Sequence, residues 1–113
     1  MTNELHIAAD LAAPIACDMS AAPDTPGERL AEYRRLFARS LLRRERRPDA
    51  VVFVLREAAG TRVVDLARRE AECCPFLEYR VETSGDELIW TITNPQRTGA
   101  RAILDDFFAL PDR

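Results

Sequence analysis

Ala50-Val51-Val52-Phe53-Val54-Leu55-Arg56-Glu57 is the stretch on which the fold turns. Its central run, Val51–Leu55, is continuously apolar and rich in β-branched residues, as in a strand covered on both faces. Ala58-Ala59-Gly60 then turns the chain. From Thr61 or Arg62 to about Cys74 the apolar residues Val63, Leu66, Ala67, Ala71 and Cys74 fall on one helical face, with Arg68, Arg69 and Glu72 off it. Pro75 stops that helix. Leu77–Thr83 alternates as a strand, Ser84-Gly85-Asp86 reads as a hairpin turn, and Glu87–Thr93 is the return arm, broken by Asn94-Pro95.

Upstream, Leu30, Tyr33, Phe37 and Leu41 recur at spacings of three and four, predicting a helix from about Pro26 to Arg46. Thr25, Pro26 and Glu28 supply its cap, its first turn and the reciprocal carboxylate of a capping box. Arg43-Arg44-Glu45-Arg46-Arg47 reads as a solvated helix end, its charge suited to the carbonyl end of the dipole. Downstream, Ala102, Ile103, Phe107 and Leu110 predict a last helix over about Thr98–Leu110. Residues 1–25, with Pro14 and Pro23, read as an irregular N-terminal tract, although Leu5–Ala9 has enough apolar character for an edge strand. The order is helix, strand, helix, strand, strand, helix. The expected fold is therefore a single α+β domain over residues 1–113, a three-stranded mixed sheet with about three packed helices and a right-handed crossover between its first two strands.

Composition narrows the function classes. The chain has 113 residues, 47% hydrophobic and 31% charged, the balance of a soluble globular domain. No apolar run approaches the ~18 residues of a membrane span, and Leu5–Ala16 is a poor leader because His6 and Asp10 interrupt it. A cytoplasmic setting, where thiols stay reduced, is expected. The net charge of −3 and the lack of a nucleic-acid motif argue against a nucleic-acid partner. All 16 basic residues are arginine, a bias typical of a GC-rich genome. A homodimer that shields a strand edge is a reasonable arrangement for so small a chain.

Chemistry concentrates in three cysteines, Cys17, Cys73 and Cys74. Successive side chains on a helix diverge by about 100°, so a bond between Cys73 and Cys74 would be strained. Pro75 leaves two arrangements open: Cys74 caps a new turn and meets free backbone N–H groups, or it ends the helix at its carbonyl-rich terminus. There is no C-x-x-C spacing, and the single histidine, His6, is remote in sequence, so neither a zinc site nor a cysteine–histidine nucleophile is encoded. Three thiolates do suit a soft, low-coordination ion such as mercury(II), copper(I) or arsenic(III), if the N-terminal tract folds over the helix end and brings Cys17 to the pair. Met19 and Asp18 accompany Cys17, Phe76 and Tyr79 are candidate walls, and Glu70 is one turn before the pair. Packing alone is the competing explanation, since free cysteine is often a small core residue. Glu70 reads first as a surface partner of Arg69 or Arg62, and Trp90 as a core residue whose N–H finds an acceptor.

The sixteen residues Asp65–Arg80, with Glu70, Cys73, Cys74 and Phe76 in place, resemble a segment of small bacterial proteins of unassigned activity. Those proteins carry a Glu-x-x-Cys-Cys-x-Phe-type signature, an earlier single cysteine and a following hairpin. They are similar to sequences beside, or fused to, regulators of mercury and other soft-metal resistance. The order of elements matches over most of residues 17–93. The resemblance implies a thiol site in a soft-metal setting and no particular reaction. The expected function is thus soft-metal binding by Cys17, Cys73 and Cys74 for sequestration, transfer or sensing, with no organic cofactor. The alternatives are a thiol enzyme, redox or carbon–mercury cleaving, and a non-catalytic interaction or sensing domain with structural cysteines.

Overall fold

A computed structural model describes residues 3–96 and 99–113. Its sheet has five strands, β1 (Leu5–Ile7), β2 (Leu41–Arg47), β3 (Ala50–Arg56), β4 (Glu78–Ser84) and β5 (Glu87–Thr93), in spatial order β1-β4-β5-β3-β2. Three helices, α1 (Pro26–Ser40), α2 (Gly60–Cys73) and α3 (Arg101–Ala109), contribute to the core against it. The α+β class stands, but the expected three-stranded mixed sheet does not: the sheet has five strands and every neighbouring pair is antiparallel.

Three causes account for the difference. First, the helix expected to reach Arg46 ends at Ser40, and Leu41 is already extended, at φ −69° and ψ 125°. Leu41–Arg47 instead pairs with β3 through a two-residue turn at Pro48-Asp49, with a bulge between Leu41 and Arg43. β3 needs a partner on its outer edge, because its backbone groups are otherwise unpaired. The arginines suit an edge strand: Arg44 and Arg46 turn toward α3, while Arg43, Glu45 and Arg47 turn to the opposite face. The Arg44 guanidinium donates to the Phe108 carbonyl oxygen at 2.7 Å and lies 4.6 Å from the Phe108 ring centre, and Arg46 Nε donates to Asp105. The basic cluster is thus a strand that holds α3, not a solvated helix end.

Second, β5 inserts between β3 and β4. The crossover through α2 therefore joins two strands that run the same way but do not touch, a split β-α-β arrangement. Third, Leu5–Ile7 leaves the irregular tract and pairs with Tyr79–Val81 as an edge strand.

Other readings hold. Thr25 and Glu28 form the capping box of α1. Gly85, at φ 61°, makes the β4–β5 turn, a backbone region glycine enters without strain. The last helix starts at Arg101; the expected start at Thr98 lies outside the described residues. Strand register places Val51, Phe53, Leu88, Trp90, Ile92, Tyr79 and Val81 on one face, under the helices, all buried. Trp90 is core as expected, but its Nε1–H has no partner among the described residues. No described helix is long and apolar enough to cross a membrane.

Candidate functional site

α2 positions the cysteine pair. Cys73 is its last residue and Cys74 its C-cap, with the Cys74 N–H donating to the Glu70 carbonyl oxygen at 2.7 Å. Of the two arrangements left open by Pro75, the second holds: Cys74 ends α2 at its carbonyl-rich terminus. The Tyr79 hydroxyl, from β4, donates toward the Cys74 and Glu70 carbonyl oxygens at 3.0 and 3.2 Å, satisfying groups a helix end leaves without intrahelical partners.

Residues 8–25 lie over this helix end. The Asp10 N–H donates to the Pro75 carbonyl oxygen at 2.8 Å and the Asp18 N–H to the Cys73 carbonyl oxygen at 2.9 Å. These bonds carry Cys17 to Cys74. The two form a disulfide across 57 positions of sequence, with Cα atoms 4.5 Å apart. Its halves differ: Cys17 is exposed and Cys74 is buried. Cys73 remains a free, buried thiol beside them.

A second group meets the cysteines from α1. Arg29 is only 4% exposed, and its Nη1–H groups donate to Glu70 Oε1 and, at 3.5 Å, to Cys73 Sγ. Its other edge forms a two-pronged contact with Asp24, 2.9 Å from Nε and 2.7 Å from Nη2. The hydrogen bonds to Asp24 and then to Glu70 raise the Arg29 pKa against burial, which lowers it. Arg29 stays charged at any working pH. Burial pushes the Glu70 carboxyl above its ordinary range, with Arg29 opposing. Glu70 is therefore not a surface partner of Arg69. Arg69 instead pairs with Asp24, Glu32 and Asp65.

Between α1, α3 and the end of α2 lies a cavity of about 350 Å³. Cys17, Cys73 and Cys74 stand on its boundary with Met19, Arg29 and Glu70. Its apolar wall is formed by Leu30 and Tyr33 of α1, Ile103 and Phe107 of α3, and Leu110. The Tyr33 hydroxyl is buried without a hydrogen-bond partner among the described residues. Burial holds its pKa well above the usual phenol range.

The predicted site residues Cys17, Cys73 and Cys74 thus meet at one cavity, and Met19 joins them. Phe76 and Tyr79 are fully buried in the core and do not line it. Asp18 turns back on its own loop, accepting from the Ser20 N–H at 2.8 Å. His6 lies elsewhere, bonded to Glu78 at 3.0 Å. With Cys17 and Cys74 joined, no cluster of three metal-ligating side chains is present among the described residues. Sequence reasoning missed Arg29, Asp24 and Tyr33. A signal existed for two of them: Arg29, Tyr33 and Leu36 follow a four-then-three spacing, which puts Arg29 on the buried stripe of α1.

Comparisons with protein families, with curated proteins and with solved structures find no match to this chain.

Proposed function

We propose that this protein binds one soft metal ion, mercury(II), copper(I) or arsenic(III), through the thiolates of Cys17, Cys73 and Cys74, for sequestration, transfer or sensing. The Cys17–Cys74 disulfide is then its oxidised resting form. The observation that carries this reading is the meeting of Cys17 with Cys74 across 57 positions of sequence, next to the free Cys73. Thiolates select soft ions, and metal ligation requires both thiols of the disulfide to be released first. In a reducing cytoplasm the released form is the working one, since disulfides there are usually transient. Arg29 offsets the negative charge that three thiolates leave around mercury(II) or copper(I), and its N–H toward Cys73 Sγ is the kind of outer contact that orients a ligand.

The test is a mercury(II) titration of the reduced protein in excess small thiol, with Cys17→Ser alongside. A 1:1 complex that resists the competitor in the native protein and is lost in the variant is the expected result. Equal stripping from both proteins overturns the reading.

A thiol–disulfide exchange enzyme is the second reading, favoured by the unequal exposure of the disulfide. An incoming thiolate attacks Cys17 sulfur, forms a mixed disulfide there and displaces Cys74, which takes up a proton; a second small thiol then attacks the bound group, leaves with it as a small disulfide and frees Cys17. Catalysed exchange between a small thiol, as reductant, and a small disulfide, lost in Cys17→Ser, separates this reading from stoichiometric metal binding. A homodimer through the β1 or β2 edge is compatible with either.

A further inference from the structure

We propose that the cavity takes the organic group of a monosubstituted arsenic(III) compound, an aryl or short alkyl arsonous acid, with Cys17 and Cys74 holding the arsenic. This deepens the soft-metal reading and rests on it. A bare ion needs only sulfur ligands. Yet the thiols here open onto a cavity of about 350 Å³, within the range of small-molecule sites, with an apolar wall of Leu30, Tyr33, Ile103, Phe107 and Leu110 and with Asp106 and Arg113 also on its boundary. Nothing in three-thiolate ligation uses that wall. An arsenic(III) centre that carries one carbon substituent has two valences left for sulfur, and the structure supplies two sulfurs that reach one another. With Cα atoms 4.5 Å apart, both remain within reach of a single bridging atom once the disulfide is opened.

The chemistry balances without a change in arsenic oxidation state. Two equivalents of a small thiol first reduce the Cys17–Cys74 bond to two thiols and leave joined to one another as a disulfide. Each freed sulfur then forms one arsenic–sulfur bond, each arsenic–oxygen bond of the arsonous acid breaks, and two waters leave with the two thiol protons. Cys73 is not a ligand in this complex and keeps its contact with Arg29. The organic group enters the apolar side of the cavity, where burial of its surface adds to the affinity.

The experiment compares phenylarsonous acid with inorganic arsenite on the reduced full chain, each scored against dithiothreitol as a free dithiol competitor. The expected result is that phenyl substitution improves binding to the protein by roughly 10- to 100-fold more than it improves binding to dithiothreitol. Ile103→Trp, which fills the cavity from a half-buried position on α3, should reduce that gain, taken relative to arsenite on the same variant, to less than about threefold. Methylarsonous acid on the native protein gives an independent reading, with a gain between those of arsenite and the phenyl compound. Tight arsenite binding with no extra gain for phenyl overturns this proposal and leaves the three-thiol site standing. Failure of the protein to outcompete dithiothreitol for either compound overturns both.

Discussion

Arg29 and Glu70, 41 positions apart in sequence, form a buried ion pair, and the same guanidinium nitrogen lies 3.5 Å from Cys73 Sγ. The pair ties α1 to the last turn of α2, where the cysteines sit. Its loss bears on stability. Breaking a buried pair from one side strands the other charge, which costs more than the pair contributes.

Arg29→Met should therefore destabilise the protein by about 3–5 kcal/mol in urea unfolding. Arg29→Met combined with Glu70→Met should recover a large part of that loss, because the buried Glu70 charge is gone and Asp24 keeps its pairing with Arg69. A double variant as unstable as the single one would show that Glu70 is not the stranded group.

Reduction should lower stability through the released loop. In the chain-entropy treatment a bond across 57 positions contributes on the order of 4 kcal/mol, and native bonds typically give about 2–4 kcal/mol. Cys17→Ser should match the reduced native protein in denaturant midpoint. A disulfide that contributes nothing would leave the oxidised and reduced midpoints equal.

Alkylation should follow exposure. In the oxidised protein the one free thiol, Cys73, is 5% exposed, so iodoacetamide should label it only under denaturing conditions. After mild reduction Cys17 should label first, and Cys74, 2% exposed, last among the bonded pair. Peptide mass spectrometry reads the order directly, and rapid native labelling of Cys73 would contradict the burial described.

Acid stability should depend on Asp24. The hydrogen bond from Arg29 holds its carboxyl below the ordinary 3.8, so the folded state binds this proton less tightly than the unfolded chain. Its contribution is present above that ordinary value and is lost as pH falls through the lowered one. Glu70 has the opposite sign: its raised pKa favours the folded state at low pH, and that advantage fades as pH rises from its ordinary 4.5 through the raised value. Asp24→Asn should flatten the fall in stability below about pH 4, measured as melting temperature against pH. An unchanged acid limb would assign the loss to other carboxylates.

Tyr33→Phe removes a buried hydroxyl that has no partner among the described residues. It should raise stability by about 1 kcal/mol, since an unsatisfied buried donor costs roughly that much. A loss of stability would mean that the hydroxyl is satisfied in solution, for instance by a water in the cavity.

Sequence by itself determined the local elements. The apolar run of β3, the stripe of α2, the Ser84-Gly85-Asp86 turn and the Thr25–Glu28 box each depend on neighbours within a few positions, and each formed close to where it was read. It also singled out Cys17, Cys73 and Cys74. Tertiary structure decided what depends on distant partners. Leu41–Arg47 continues a helical pattern by itself, and becomes a strand because β3 offers an unpaired edge and α3 offers acceptors for Arg44 and Arg46. β5 lies between β3 and β4 because the hairpin folds back on that side, which no periodicity encodes. Arg29 could be placed on a buried stripe, yet its partners Glu70 and Cys73 belong to another helix. The joining of Cys17 to Cys74 depends on two backbone hydrogen bonds that hold the N-terminal tract across the end of α2. Periodicity is set by the backbone within a turn or a pleat, whereas pairing across the sheet and between helices is set by which surfaces remain to be buried once those elements exist.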